Sequence, residues 1–414
     1  MFYNREIEPK ITNYFDDREA IIVLGSRQAG KTTLLKMLMG KISSPKRGFY
    51  LDLEEPKNLE IVEGGPENLI KYLSALGADL NVRSFVFLDE IHYMKNPSKF
   101  VKLIVDHYSD KLKIICTGSS ALGIKVKFHD ALVGRKLIFT LHPLNFREFL
   151  IFKEKKNLAD NLPKQPFEQK DDVTRFFQEE YLRYFNEFLI FGGYPRVALE
   201  NSLEKKERLL GEIVGSYIYK DIRSLFHIVD IAKFNNLTRI LASQIGSLVN
   251  ISELAETVGI SRPTISNYLV ILENSFLIST LPPYSQNLRV EVRKAGKIYW
   301  FDNGLRNYLV GDLSVSTSRT DYGALLENAV FAGLTKNKTE MEQLFYWRTK
   351  DRTEVDFVYK SGEKLIPIEV KMRARPHRGI KSFSQKYGVE NGYIVHTGGF
   401  AKNDISYIPG FWVT

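Results

Sequence analysis

Apolar residues gather early in the chain into short, uninterrupted runs. Ala20-Ile-Ile-Val-Leu24, Gly48-Phe-Tyr-Leu-Asp-Leu53, Ser84-Phe-Val-Phe-Leu-Asp-Glu-Ile91 and Leu112-Lys-Ile-Ile-Cys-Thr-Gly118 are four of them. Runs of this length between polar segments read as buried strands. Helical stretches such as Thr33-Leu-Leu-Lys-Met-Leu-Met39 lie between them. Strands alternating with helices predict an α/β fold with a parallel sheet flanked by helices, and a ligand at the carboxyl ends of the strands.

The pattern then changes. Residues 150–210 are rich in Lys, Glu, Phe and Leu and read as helices around a polar loop near Asn157 to Asp172. Phe191-Gly-Gly-Tyr-Pro195 breaks that run, because glycine tolerates positive φ and proline ends a helix. This segment is expected to be a helical lid over the ligand site. From residue 249 two short helical periods follow. Asn250-Ile-Ser-Glu-Leu-Ala-Glu-Thr-Val-Gly-Ile260 has Ser252 as its expected N-cap and Gly259 at the turn, and Ser261 caps Arg262 to Glu273. Two helices joined through a glycine turn predict a helix-turn-helix. Phe276 to Thr280, Pro282-Pro283 and Leu288 to Val290 would supply its wing. Farther on, Phe345 to Tyr359 alternates as a hairpin turning near Lys350 to Arg352, and Leu365-Ile-Pro-Ile-Glu-Val-Lys371 is a further strand. The expected domains are 1–148, 149–235, 236–292 and 293–414.

Chemistry enters with the segment that follows the first strand. Gly25-Ser26-Arg27-Gln28-Ala29-Gly30-Lys31-Thr32, continued by Thr33, is a Walker A loop in its proper context of strand, glycine loop and helix. Backbone amides and the positive end of the helix would hold phosphate oxygens. Lys31 would reach the β- and γ-phosphates, and the Thr32 hydroxyl would ligate Mg²⁺. The third strand runs into Asp89 and Glu90, a Walker B pair in which Asp89 holds the metal shell and Glu90 polarises the attacking water. Thr117 and Ser119, at the end of the fourth strand, are candidates to sense the γ-phosphate, and Ser119 or Ser120 equally suits a helix N-cap. Arg135 is the candidate arginine finger or sensor, since a guanidinium neutralises developing phosphoryl charge. Glu90 favours hydrolysis over passive binding. No stretch resembling the guanine-reading NKxD is found, so ATP is expected over GTP.

The carboxy-terminal strands carry a second constellation. Asp356 is followed thirteen positions later by Glu369, with Lys371 on the same face of that strand as Glu369. This spacing matches the metal-dependent nuclease core called PD-(D/E)XK. There, Asp356, Glu369 and the Val370 carbonyl would hold Mg²⁺, while Lys371 orients or deprotonates water. Glu327 on the preceding helix is the expected extra carboxylate, and Glu354 shares a face with Asp356. In the helix-turn-helix the second helix would present Arg262, Thr264, Ser266, Asn267 and also Tyr268 to DNA.

Charge and composition add limits. The 58 basic and 49 acidic residues leave a net charge of +9, which permits a polyanionic partner. Basic residues crowd Arg289 to Lys297 and Lys371 to Lys386, close to the second constellation. The single cysteine, Cys116, precludes an internal disulfide and suits a reducing compartment. The first twenty residues are charged throughout, and no apolar run approaches the ~20 residues that span a bilayer. A soluble, cytoplasmic protein with no membrane partner is expected.

Taken together, the motifs resemble a family of archaeal and bacterial AAA-type ATPases with an uncharacterised carboxy-terminal domain. Its members show a GxRQxGKTT loop, an LDEIH strand end, a TGSS strand, a GR followed by PLxFxEF, a GGYP break and an ExDF…ExK tail. Here these are Gly25 to Thr33, Leu88 to His92, Thr117 to Ser120, Gly134 to Phe149, Gly192 to Pro195 and Glu354 to Lys371. The resemblance covers nearly the whole chain. It implies an AAA-type core with a helical lid, a winged helix and a restriction-endonuclease-like domain. Lys31, Thr32, Asp89, Glu90 and Arg135 would serve ATP, and Asp356, Glu369 and Lys371 would form the nuclease-like site. Val133 stands where the family pattern places proline, so the loop presenting Arg135 departs from it. The resulting expectation is an ATPase that binds or processes DNA, with Arg135 acting within its own subunit or on a neighbour in a ring. The alternative is a nucleotide-switched signalling or scaffold ATPase that recruits a protein or DNA without cleavage.

Overall fold

The computed structural model describes residues 3–42, 47–79, 81–118, 132–165, 167, 173–221, 228, 230–287, 291, 294–373, 378–390, 392–402 and 405–414, the side chains of 217 and 219–221 excepted. The chain forms two compact units, residues 1–142 with 274–276, and residues 143–273 with 277–414.

In the first unit the apolar runs are strands β1 (Ala20–Leu24), β2 (Gly48–Asp52), β3 (Ser84–Asp89), β4 (Leu112–Gly118) and β5 (Lys136–Thr140). They lie in the order β2-β3-β4-β1-β5, and every pairing is parallel. Alternation along each strand sorts side chains to two faces. Ile22, Val86, Leu88, Ile114 and Cys116 pack with Phe100, Val101 and Ile104 of the helix Pro97–His107. Ile21, Val23, Phe85, Phe87 and Ile115 pack instead with Leu34, Leu35 and Leu38 of the helix Lys31–Met39. A parallel sheet covered on both faces explains the near-continuous apolar runs. Strand β5 carries no strand expectation. Its five residues sit at the sheet edge, with Ile138 exposed, so no long apolar run marks it.

The second unit begins with helices Phe146–Phe152, Lys156–Asn161, Gln178–Phe191, Pro195–Leu199 and Leu203–Ile213. Lys156–Asn161 falls where a polar loop is expected. It buries Leu158 and Ala159, and Arg147 donates to the carbonyls of Ala159, Leu162 and Pro163. The helices Ile251–Val258 and Arg262–Asn274 meet at Gly259, which is left-handed at φ 71°. The N-cap of the first is Asn250, not Ser252, because the Asn250 side chain accepts the amides of both Ser252 and Glu253. Ser261 caps the second by accepting the Thr264 amide. Strand β6 (Ile278–Leu281) pairs antiparallel with β7 (Lys297–Trp300), so this two-stranded sheet straddles residue 292. Leu288 to Val290 lie outside the described residues.

A six-stranded mixed sheet completes the unit, from β8 (Glu342–Arg348), β9 (Glu354–Ser361), β10 (Lys364–Val370), β11 (Tyr393–His396), β12 (Ala401–Lys402) and β13 (Ser406–Pro409). Its order is β12-β13-β11-β10-β9-β8. Strands β8, β9 and β10 form an antiparallel meander, and the helix Arg378–Tyr387 carries the chain from β10 to its parallel neighbour β11. Among the described residues no helix is long and apolar enough to cross a membrane.

Candidate functional site

The loop after β1 is shaped by its glycines. A Cβ on Gly25 would overlap the Leu141 carbonyl, and Gly30 is left-handed at φ 99°. Gln28 also adopts a left-handed φ of 62°, an uncommon conformation for a residue with a side chain. Ser26 and Ala29 are buried, while Arg27, Thr32 and Thr33 are exposed. Gly30 is the N-cap of Lys31–Met39, and no side chain caps that helix. Buried Lys31 folds its Nζ back onto the carbonyls of Gly25 and Ser26, at 3.1 and 3.0 Å. Burial lowers the pKa of Lys31, and the nearby Glu90 and Asp89 oppose that shift. A residue without a recognised motif also braces this loop: Arg5 donates to Ala29 O at 2.9 Å and to His142 O at 2.8 Å.

The acidic pair stands at the carboxyl end of β3, beside the ends of β2 and β4. Asp89 accepts from the Thr32 hydroxyl at 2.6 Å, from the Tyr50 hydroxyl at 2.8 Å, and from the Thr117 hydroxyl. The same Thr117 oxygen accepts the Glu90 amide at 2.9 Å. Glu90 is left-handed, at φ 55° and ψ 53°, a backbone state that costs on the order of 1–3 kcal/mol and that the Thr117 bond helps to fix. The Glu90 carboxylate lies 3.0 Å from His92 Nδ1. Burial and donation to Asp89 raise the pKa of Tyr50, so the phenol stays protonated and able to donate. No motif marks Tyr50. Its only sequence signal is an aromatic hydroxyl near the end of the strand beside β3.

The adjoining Thr32 hydroxyl and Asp89 carboxylate are hard oxygen donors of the kind Mg²⁺ takes, so these residues fit the ion that the loop implies. Arg135 is engaged elsewhere, its Nε lying 2.6 Å from Asp106 Oδ1, an ion pair that raises its pKa. Ser119 lies outside the described residues.

The second unit brings the other candidates together. Asp356 on β9, Glu369 on β10 and Glu327 on the helix Tyr322–Asn337 share one cluster with Glu354. Lys371 Nζ is 2.7 Å from Glu369 Oε1 and 3.9 Å from Asp356 Oδ2. The Val370 amide donates to Asp356 at 2.8 Å. Burial and the Asp356 charge push the pKa values of both Glu327 and Glu369 upward. A further member is Lys297 of β7, only 4% exposed, which pairs with Glu354 and lies 3.6 Å from Glu327 and 3.9 Å from Asp356. Among the described residues no three Asp, Glu, His or Cys side chains converge to hold a metal ion. This donor set, already engaged by two ammonium groups, does not fit Mg²⁺.

On the helix Arg262–Asn274, Arg262, Ser266 and Asn267 are exposed and Thr264 is partly so. Tyr268 is not available to a ligand. It is buried and packs edge-on against Phe234, 5.1 Å between ring centroids.

Residues 17–150 match the family model described as "AAA domain". Most of the first unit, with its parallel sheet and phosphate loop, is thus matched by an AAA-type domain. Residues 182–317 and 322–409 match two further models, each described as a domain of unknown function. Similar proteins include two uncharacterised proteins of Methanocaldococcus jannaschii. One is 29% identical over 92% of this chain and 81% of its own, the other 26% over 98% and 89%. An uncharacterised protein of Haemophilus influenzae is 25% identical over 86% of this chain and 83% of its own. Among solved structures, the Walker-type ATPase of Pyrococcus abyssi covers 74% of this chain and 96% of its own at 15% identity, with a TM-score of 0.48.

Proposed function

We propose that this chain is an Mg²⁺-dependent ATP hydrolase whose nucleotide state is coupled to DNA bound through its carboxy-terminal half. One observation carries the hydrolytic part: the Thr117 hydroxyl joins Asp89 to the Glu90 amide and so fixes both acids at one strand edge. Lys31 exchanges the loop carbonyls for phosphate oxygens, and the amides after Gly30 bind the rest of the phosphate chain. Mg²⁺, held by Thr32 and Asp89, supplies neutralisation of the phosphate charge. Glu90 orients the attacking water and accepts its proton as the bond to the γ-phosphorus forms, and ADP leaves with the electrons of the broken bond.

The coupling to DNA is supported by the placement of basic groups. Arg262 begins an exposed helix face, and Arg378, Lys381 and Lys386 lie exposed along the helix Arg378–Tyr387. These groups suit phosphate contact better than base reading. Steady-state ATP hydrolysis with and without single-stranded, duplex and branched DNA tests the reading. Stimulation by one of these DNAs is expected; an unchanged rate with no retardation of any DNA would sink the coupling. The alternative, a switch that recruits a partner without cutting DNA, gains support from Lys297, which lies inside the acidic cluster.

A further inference from the structure

We propose that the ammonium group of Lys297 is the resident cation of the carboxy-terminal acidic cluster, standing where a divalent metal would otherwise bind. Four carboxylates gather here, from Glu327, Glu354, Asp356 and Glu369. Carboxylates brought together out of water repel one another unless a cation lies among them. Lys297 lies among three of the four. It comes from β7, outside the D…ExK strands, and reaches the cluster from the two-stranded sheet that it forms with β6.

Each carboxylate already has protein partners. Glu327 accepts from the Tyr299 hydroxyl at 2.6 Å and lies 3.6 Å from Lys297. Glu354 takes Lys297 on one oxygen and lies 3.4 Å from Arg348 Nε on the other. Asp356 turns Oδ2 to the Val370 amide and places Oδ1 3.9 Å from Lys297. Glu369 binds Lys371. The four carboxyl groups therefore face three positive side chains, Lys297, Lys371 and Arg348. Tyr346 adds its ring face 5.7 Å from the Lys297 ammonium. A hard divalent ion needs several free oxygens at once. To gain them it must displace a buried, fully charged lysine, and the two cations would repel at short range.

The same reasoning makes the cluster a latent metal site. Removing the ammonium takes away the cation shared by Glu327, Glu354 and Asp356, leaving Glu354 to Arg348 and Asp356 to Lys371 at 3.9 Å, and a divalent ion then becomes the way to restore the lost charge. Which cation the cluster holds is independent of both ATP hydrolysis and DNA binding.

Binding of Mn²⁺ to the nucleotide-free full chain, counted by electron paramagnetic resonance and paired with thermal melting, tests it. Wild type and Asp356→Asn are expected to bind Mn²⁺ alike. Lys297→Met is expected to gain one Mn²⁺ per chain with an affinity at least ~10-fold above that of wild type. That gain should vanish in Lys297→Met/Asp356→Asn, and Mn²⁺ should raise the melting temperature of Lys297→Met but not of Lys297→Arg. Wild-type Mn²⁺ binding that Asp356→Asn abolishes would overturn the proposal, as would a folded Lys297→Met that gains no ion. If Lys297→Met does not fold, the comparison of wild type with Asp356→Asn still decides the matter.

Discussion

Replacing Thr117 by valine isolates the bond network on which the proposed hydrolysis would depend. Valine keeps the shape of the side chain at a fully buried position, so the loss is chemical and not a cavity. Two hydrogen bonds disappear. The Glu90 amide loses its acceptor, and a buried donor left unpaired costs about 1–3 kcal/mol. Asp89 loses one of three donors, a charge-assisted bond worth about 1.5–3 kcal/mol, partly offset because Thr32 and Tyr50 remain. A net stability loss of about 2–4 kcal/mol is expected, read as a lowered urea midpoint. The kinetic effect is separate. Without the Thr117 hydroxyl the left-handed Glu90 backbone loses this bond to β4, and its carboxylate is expected to drift from the attacking water. A misplacement worth about 2.7 kcal/mol lowers kcat roughly 100-fold. ATP affinity, carried by the loop and Lys31, should change by less than ~10-fold. Phosphate release and binding of a fluorescent ATP analogue separate the two effects, and Thr117→Ser, which keeps the hydroxyl, should recover most of the activity. A Thr117→Val protein that turns over at the wild-type rate would refute the reasoning. So would one whose affinity falls as far as its turnover.

Gly192→Ala should destabilise the second unit by about 3 kcal/mol or more. Gly192 is left-handed at φ 73°, and an added Cβ would overlap the carboxylate of Asp302, which accepts the Gly193 and Leu305 amides. Thermal melting of the variant checks this, and an unchanged melting temperature would contradict it. Asp321→Asn should cost about 1 kcal/mol at pH 7, after discounting for solvent screening. Burial opposes ionisation there, yet hydrogen bonds from Arg319 and Arg306 hold the Asp321 pKa down to about 2. A depressed carboxylate pKa stabilises the fold above its unfolded value of 3.8, and that stability is lost as pH falls towards 2. The gap between wild type and Asp321→Asn in urea unfolding should therefore narrow from pH 7 to pH 3; a constant gap would show that the Arg306 and Arg319 pairs contribute nothing.

Local patterns made much of this molecule legible. Strands β1, β3 and β4 announce themselves because both faces of a covered parallel sheet must be apolar. The phosphate loop is a single contiguous segment and the acids at positions 89 and 90 are adjacent, so each stands out as a local pattern. Beyond that reach the sequence was silent. Strand β5 lies at an edge and has too few apolar residues to stand out. Arg5 meets His142, a residue 137 positions away, and no periodicity encodes such a contact. Tyr50 and Thr117 reach Asp89 only because sheet order places β2 and β4 on either side of β3. Ser252 and Asn250 both suit an N-cap, and the choice depends on which side chain faces the free amides. The D…ExK spacing drew attention to Asp356 and Glu369. What changes their chemistry is Lys297, a lysine from a strand outside that motif.

Asp89 and Glu90 are proposed to form a hydrolytic centre and not merely a nucleotide cradle. Phosphate release from ATP in the presence of Mg²⁺, measured for wild type and Glu90→Gln together with ATP retained after gel filtration, tests it most directly. Steady hydrolysis by wild type is expected, with at least ~100-fold slower release by Glu90→Gln and ATP still bound to the variant. Equal rates in the two proteins, or no hydrolysis by wild type, would contradict it.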